Sequence, residues 1–252
     1  MHASRNLVLA SSRMLFRSPS TLRVAFVTPV LFTALIALYD RLQFQTGSPS
    51  VDFFDYIAVG ATAWYITYTA EHGMTGAAAG YRAEGVLKRL AVTPISSLQF
   101  ISAQVLARVA LAVAQMIAVL GAAKLLGASI DVGANLAWAL VPVTIVVLMG
   151  LSIGFIWAGI TRTPEGANTL DVMMAIPLLF LAGAMWPLEA YPDALESVVQ
   201  YAIPFVAPFD TLRGIALDGA GIGAYGPELL VAAAWLIALA VLATRAYRLK
   251  EV

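Results

Sequence analysis

Residues 136–160 of the chain read LAWALVPVTIVVLMGLSIGFIWAGI, a stretch with no charged side chain. About 20 apolar residues are enough for an α-helix to cross a hydrocarbon core of roughly 30 Å. The strands of a membrane β-barrel are shorter and alternate between apolar and polar residues, and this stretch does neither. It therefore predicts a transmembrane helix.

Five more apolar stretches accompany the first. Together the six predicted spans lie at about 24–42, 56–79, 99–123, 136–160, 168–186 and 227–245. Of the 252 residues 60% are hydrophobic and only 12% are charged, whereas a soluble domain has about a quarter charged residues. The sequence therefore predicts an all-α integral membrane protein with six transmembrane helices in a single domain over residues 1–252. There is no cysteine, which excludes disulfides and cysteine-ligated metals.

The basic residues predict the orientation of these spans, because Lys and Arg concentrate in cytoplasmic loops. With both termini in the cytoplasm, only Arg41, Lys124 and Arg213 of the fifteen Lys and Arg residues fall on the outer side. The reversed topology would place most of them outside. We therefore expect a multi-pass protein with both termini in the cytoplasm.

Two segments outside the spans have their own patterns. Residues 1–23 contain an amphipathic stretch at 4–18 with arginines on one side, which predicts a cytoplasmic helix lying in the membrane interface; a disordered basic tail is the alternative. Residues 187–224 are rich in apolar side chains but contain prolines and acids. That composition predicts two short re-entrant helices on the extracellular side and not a seventh span.

The loop at 80–98 is cytoplasmic in this topology. Residues 83–91 can form a short helix with an apolar ridge that includes Leu87 and Leu90 between charged residues, and Pro94 ends it. Such a rigid amphipathic helix suits a groove on a soluble partner. A basic loop that only fixes the topology fits the residues equally well, so both interpretations stay open on the pattern alone.

Three motifs resemble a known family. The run EGVLKRL at 84–90, followed by Thr93 and Pro94, resembles the coupling-helix motif of type-2 ABC exporter permeases. The runs IPLLFLAGAMWPLE at 176–189 and PFVAPFDTLR at 204–213 are similar to that family's fifth span, its re-entrant extracellular helices and the start of the return. The resemblance covers nearly the whole chain.

The resemblance implies a permease subunit of an ABC exporter. Two permease subunits, identical or paralogous, would pair around a central pathway in the plasma membrane of a prokaryote, among membrane lipids and without nucleic acid. Each would dock a separate ATPase subunit through its coupling helix. The expected coupling residues are Arg82, Glu84, Gly85, Leu87, Lys88, Arg89, Leu90, Thr93 and Pro94. The chain would not itself be an enzyme or hold a cofactor: ATP and Mg would bind the partner, since the sequence lacks a G-x-x-x-x-G-K-[ST] phosphate loop.

The expected substrate pathway involves the second span, with the first and fifth spans as further lining by resemblance. Glu71 and His72 are ionisable residues within that span, which marks a functional site by default, and Trp64 and Tyr68 are assigned to the pathway with them. The two ionisable residues could contact a polar substrate, relay protons as the coupling site of a secondary transporter, or pair with another helix. An interfacial pair near Arg82 is the non-functional interpretation.

Three further patterns have two interpretations each. Gly150 to Gly154 match G-x-S-x-G, so Ser152 could be the nucleophile of an intramembrane hydrolase, but small residues at this spacing also allow close helix packing. The aromatic residues of the outer segment fit either an interfacial belt or an extracellular gate. The expected gate residues are Trp186, Pro187, Phe205 and Phe209. Asp171 is expected to be an acid near the start of the fifth helix, where the helix dipole favours negative charge.

Overall fold

A computed structural model describes residues 17–44, 53–85 and 97–248, and all regular structure in these ranges is helical. The longer α-helices are α1 Thr28–Phe44, α2 Phe53–Ala83, α3 Ser97–Leu125, α4 Leu140–Ile160, α5 Pro164–Leu181, α6 Asp193–Ala202, α7 Val206–Leu217 and α8 Gly226–Arg248. A helical turn at Pro19–Leu22 and a π-helical turn at Arg23–Val27 lead directly into α1.

Six of these helices, α1 to α5 and α8, coincide with the six predicted apolar stretches. Not all six have the length and composition of a membrane span. Among the described residues, four helical segments are long and apolar enough to cross a membrane: Arg23–Leu42, Gln99–Leu125, Ala134–Ile160 and Ile222–Tyr247. The helices α2 and α5 are outside this set, and both carry buried acids: Asp55 and Glu71 in α2, and Asp171 in α5. The all-helical membrane fold is thus confirmed with four candidate spans, and the count of six stays a prediction.

The centre of the bundle is α2, which packs against α1, α3, α4, α5 and α7. It has 31 residues, so at about 1.5 Å per residue it is about 46 Å long, more than the roughly 30 Å hydrocarbon core. Its residues from Ile57 to Ala63 are all buried. Because neighbouring helices cover it, α2 can carry polar side chains that lipid would not tolerate.

The contact between α4 and α2 is made by glycines. A Cβ atom at Gly150 would lie 2.8 Å from the Thr67 carbonyl oxygen, and one at Gly154 would lie 2.7 Å from the Glu71 carbonyl oxygen. Ser152 lies between them, and its hydroxyl donates to the Leu148 carbonyl oxygen one turn earlier at 2.8 Å. The G-x-S-x-G pattern is therefore a helix-packing motif inside a continuous helix, without the strand-turn-helix context that a nucleophile elbow requires.

The segment at 187–224 contains the two short helices that the sequence predicts, α6 and α7, with a 3-10 turn at Leu188–Ala190 before them. Phe209, Leu212 and Ile215 of α7 are fully buried against the bundle. The depth of these helices in the membrane stays a prediction. The predicted end of the fifth span at 186 is wrong, because α5 ends at Leu181 and Gly183 turns the chain with φ +68°.

The predicted interfacial helix at the N-terminus lies outside the described residues up to position 16. Ser18 is not helical, as its position before Pro19 suggests, and Pro19 begins the next helical turn. Proline is favoured at the first position of a helix because its missing N–H has no partner to lose there. Helical structure thus begins at Pro19, while the candidate span Arg23–Leu42 agrees with the predicted first span at 24–42.

Candidate functional site

A buried polar cluster lies at mid-height in the bundle and is centred on Glu71. This side chain is 2% exposed and precedes the end of α2 by twelve residues, a distance of about 18 Å along the helix. Its carboxylate oxygen Oε1 accepts a hydrogen bond from Trp157 Nε1 of α4 at 2.8 Å. The bond compensates part of the cost of removing a carboxylate from water and ties α2 to α4.

The second contact of the cluster joins α2 to α5. His72 Nδ1 lies 2.6 Å from Asp171 Oδ2, and Asp171 is completely buried. Thr75, on the same face of α2, has its hydroxyl 3.4 Å from Asp171 Oδ1. The distance fits a hydrogen bond between the imidazole ring and the buried carboxyl group.

Asp171 is not the helix N-terminal acid that the sequence predicts. The helix α5 begins at Pro164, its first turn contains Glu165, and Thr163 Oγ1 caps it by accepting from the Gly166 N–H at 3.0 Å. Asp171 lies two turns further along, beyond the reach of the helix terminus. Glu71 was identified as an ionisable residue in an apolar span. The same criterion applies to Asp171 and could have identified it as part of the site from the sequence.

Three aromatic rings form a ladder along α2. The rings of Trp64 and Tyr68 stack at 6.4 Å between centroids with an angle of 18°, and those of Tyr68 and His72 stack at 5.3 Å and 16°. Residues four apart share one helix face, which explains the alignment. The structure thus joins all four predicted pathway residues, since the ladder ends beside Glu71. Trp64 is buried, and the His72 side chain is 40% exposed.

The predicted coupling residues are only partly described. Arg82 Nη2 donates to the Thr161 carbonyl oxygen at 2.8 Å, where the C-terminal end of α4 favours a cation. Glu71 and His72 bond to Trp157 and Asp171, and not to a partner near Arg82 as in the interfacial interpretation. Leu87, Lys88, Arg89, Leu90, Thr93 and Pro94 lie outside the described residues.

The start of the predicted coupling helix needs a correction. Residue 83 is the last residue of α2, and Glu84 and Gly85 form a turn. Gly85 has φ +64° and donates its N–H to the Arg82 carbonyl oxygen at 3.2 Å. Left-handed backbone of this kind commonly ends a helix and favours glycine. Any helix in the loop therefore begins after Gly85 and not at residue 83.

The four predicted gate residues are in different environments. Phe205 and Phe209 are fully buried and stack at 6.0 Å between centroids, whereas Trp186 is 48% exposed and Pro187 is half-buried. The two phenylalanines pack inside this chain and do not line its surface. A role for the four residues as a gate stays a prediction.

An arginine that sequence analysis did not single out organises this end of the molecule. The Arg213 guanidinium lies 3.8 Å from the centroid of the Tyr56 ring, donates to the Gly183 carbonyl oxygen, and pairs with Asp210 Oδ1 at 2.8 Å. Burial raises the pKa of Asp210, and the neighbouring guanidinium opposes that rise. Arg213 thereby ties α7 to the start of α2 and to the turn after α5.

These features define a class of protein: a helical membrane protein with ionisable residues buried between its central helices. The comparison with known families is more specific. Residues 5–217 match the family described as ABC-2 type transporter. The chain belongs to this family and is the transmembrane component of an ABC transporter.

One relative supports the assignment. The chain is 24% identical over 208 residues to "ABC transporter G family member 20" of Dictyostelium discoideum, a match that covers 81% of this chain and 28% of the relative. The chain thus spans less than a third of that protein's length.

Proposed function

We propose that this chain is the permease subunit of an ABC exporter, that it lines the transmembrane pathway with a second permease subunit, and that a separate ATPase subunit drives it. The family match over residues 5–217 carries this proposal, because it includes every element from the N-terminal segment to α7. ATP and Mg would act on the partner subunit. The chain's own contribution is to bind cargo and to change conformation.

The proposed coupling route starts in the loop at 80–98. An ATPase that displaces this loop would move the end of α2, and the bond from Arg82 to Thr161 would transmit that movement to the end of α4. The ATPase can drive the change only through different affinities for the two conformations. We therefore expect the loop and α2 to move together when the ATPase changes conformation.

The docking proposal is tested with the Leu87→Glu variant. A charge on the apolar ridge should abolish docking of an ATPase, so that affinity-purified chain from its native membrane no longer carries vanadate-sensitive ATP hydrolysis. Val132→Glu is the matched control, because Val132 is 70% exposed in the loop at the other end of α3. Equal ATPase activity in wild type, Leu87→Glu and Val132→Glu preparations, or none in wild type, would contradict the proposal.

The pathway proposal concerns the ring ladder and the cluster beside it. The exposed part of His72 lies at the end of the ladder, and α5 next to it leaves Met173 and Ile176 more than half exposed. A second permease subunit placed against α2 and α5 would cover this apolar surface and enclose a pathway lined by the rings. Stacked rings suit apolar or aromatic cargo, and the exposed part of His72 offers a contact to polar groups.

The natural absence of cysteine allows a direct test of the pathway. A cysteine placed at His72 or Tyr68 should react with a charged, membrane-impermeant thiosulfonate, because thiolates form only where water reaches the thiol. Ile237→Cys is the control, since this residue of α8 is 67% exposed on a helix that few neighbours cover. Labelling at position 237 but not at 68 or 72 would refute the assignment.

A secondary transporter remains the second candidate, because two buried carboxyl groups lie next to His72: Glu71 precedes it in α2, and Asp171 of α5 bonds to its ring. Such a cluster could bind protons during transport. Uptake of a dye into vesicles that contain the purified chain alone, driven by a pH gradient without ATP and lost in Glu71→Gln, would favour it. Transport only with the ATPase present would exclude it.

A further inference from the structure

A cavity of about 210 Å³ lies between the beginning of the first helical run, α2 and α3. Its walls include Thr21, Thr69, Tyr81, Gln104, Arg108 and Gln115. The Glu71 cluster is not among them. The cavity extends to Ser18 and Tyr81, at the end of the helices that the topology assigns to the cytoplasm.

The chemical character of the cavity is set by Arg108. This side chain is 5% exposed and belongs to α3, one of the helices with the composition of a membrane span. Its Nη1 donates to Gln104 Oε1 at 2.6 Å. Among the described residues, the ion pairs are His72 with Asp171 and Arg213 with Asp210, so Arg108 has no carboxylate partner there.

A buried guanidinium without a counter-ion is costly, because its charge is removed from water without compensation. An anion in the cavity would remove most of this cost. The carboxylates of the mid-height cluster cannot fill this role, since they bond to Trp157 and His72.

Gln115 supplies a second, independent observation. It is 1% exposed and lines the same cavity. Its Nε2 lies 3.5 Å from Thr69 Oγ1, while its Oε1 has no hydrogen-bond partner among the described residues. Buried amide oxygens normally accept a hydrogen bond, so a ligand that fits here carries a hydroxyl donor as well as a negative charge.

We infer that this cavity binds a phosphate-type oxyanion that carries a hydroxyl group, with Arg108 as its charge partner and Gln104 and Gln115 as its hydrogen-bonding partners. A volume of 210 Å³ is below the range of about 300–1,000 Å³ typical of drug-sized ligands. It accommodates a headgroup whose tails remain outside. Basic pockets between transmembrane helices on the cytoplasmic side are known to bind phosphorylated lipid headgroups.

The surface beside the cavity suits the tails of such a lipid. Ile101 of α3, one helical turn before Gln104, is 45% exposed, and Phe100 next to it contacts the ring of the cavity residue Tyr81 at 5.5 Å between centroids. Acyl chains can lie against these side chains while the headgroup enters between the helices. The site is separate from the proposed transport pathway and does not depend on it.

The test compares melting temperatures of the purified chain in nanodiscs of phosphatidylcholine with and without phosphatidylglycerol. The anionic lipid should raise the melting temperature of wild type by several degrees, because a ligand that binds only the folded state stabilises it. Arg108→Gln should lose this rise. Arg162→Gln is the matched control for total charge, since Arg162 is exposed, and it should keep the rise.

A second variant covers the case in which Arg108→Gln does not fold. Gly73 lines the cavity, and a Cβ atom there would lie 3.7 Å from Arg108 Nη2 and near no other group. Gly73→Leu therefore fills the cavity with the charge intact and should also lose the rise. Retention of the full rise in Gly73→Leu or Arg108→Gln would overturn the inference.

The source of the anion is determined separately, in detergent without lipid. Millimolar inorganic phosphate against chloride at equal ionic strength should leave the melting temperature unchanged if the ligand is a lipid headgroup. A phosphate-dependent rise that Gly73→Leu abolishes would support the same site with a soluble anion as its ligand. No response of wild type to either phosphatidylglycerol or phosphate would refute the site.

Discussion

Replacing Gly154 by alanine tests whether the contact between α4 and α2 sets the position of the polar cluster. The added Cβ would lie 2.7 Å from the Glu71 carbonyl oxygen and 2.8 Å from Met74 Cβ. Even a close C–H···O contact keeps carbon and oxygen about 3.3–3.6 Å apart, and carbon atoms pack at about 3.5–4.0 Å. The two helices would therefore have to separate locally by roughly 0.6–1.2 Å.

Overpacking of this kind costs about 1–3 kcal/mol. For a chain of this size, 1 kcal/mol corresponds to about 2–4 °C in melting temperature, so we expect a decrease of roughly 2–12 °C. The assay is thermal unfolding in detergent micelles, followed by tryptophan fluorescence. Gly121→Ala is the matched control, because this helical glycine of α3 has no atom within 4 Å of an added Cβ.

The comparison has a clear negative outcome. If Gly154→Ala melts at the same temperature as Gly121→Ala, the two helices are not in contact at Gly154, and the placement of Trp157 beside Glu71 loses its basis. A second substitution adds resolution: Gly150→Ala should also destabilise, since its Cβ would lie 2.8 Å from the Thr67 carbonyl oxygen.

Two other substitutions follow from single contacts. Trp157→Phe removes the donor to the buried Glu71 carboxylate and should cost about 1–3 kcal/mol in the same unfolding assay, whereas Trp138→Phe, at a half-exposed side chain, should change little; equal effects would contradict the bond. Gly85→Ala forces a side chain into left-handed backbone at about 1–2 kcal/mol, and Gly85→Asn should cost less because asparagine tolerates this conformation. Limited proteolysis of the loop after α2 measures the difference.

The apolar runs were sufficient to predict the membrane helices, because a bilayer imposes a length and a composition that few other structures share. The same rule predicted α2 and α5 less well. Their acids lower the apolar character of each helix, and only the packing of α4 against α2 explains how Glu71 is accommodated. By composition alone, Glu71 is an isolated acid in an apolar helix. Its contact with Trp157 shows that it belongs to a buried polar cluster.

The partners of the candidate site were beyond sequence reasoning for a simple reason. Glu71 and Trp157 are 86 residues apart, and His72 and Asp171 are 99 residues apart. No periodicity within one helix specifies which face of another helix it meets. The glycines at 150 and 154 gave a usable signal, since small residues permit close approach, but the identity of the facing helix came only from the structure.

The side-chain hydrogen bonds of α2 determine which neighbouring helices move together with it. The bond from Arg82 to Thr161 and the bond from Glu71 to Trp157 join α2 to α4 at two heights, eleven residues or about 16 Å apart along α2 and four residues or about 6 Å apart along α4. The contact between His72 and Asp171 adds α5 at the upper of these heights.

A force at the end of α2 therefore acts on a body of three helices, because tilting α2 alone would break hydrogen bonds in a low-dielectric interior. On the opposite side, the described side-chain bonds from α2 to α3 are two long ones, Gln104 to Tyr81 at 3.4 Å and Gln115 to Thr69 at 3.5 Å. The boundary between α2 and α3 is the weaker one. The cavity with Arg108 lies at this boundary. Under the proposed coupling, an anion bound in the cavity would therefore bridge α2 and α3 and oppose a movement of α2 away from α3.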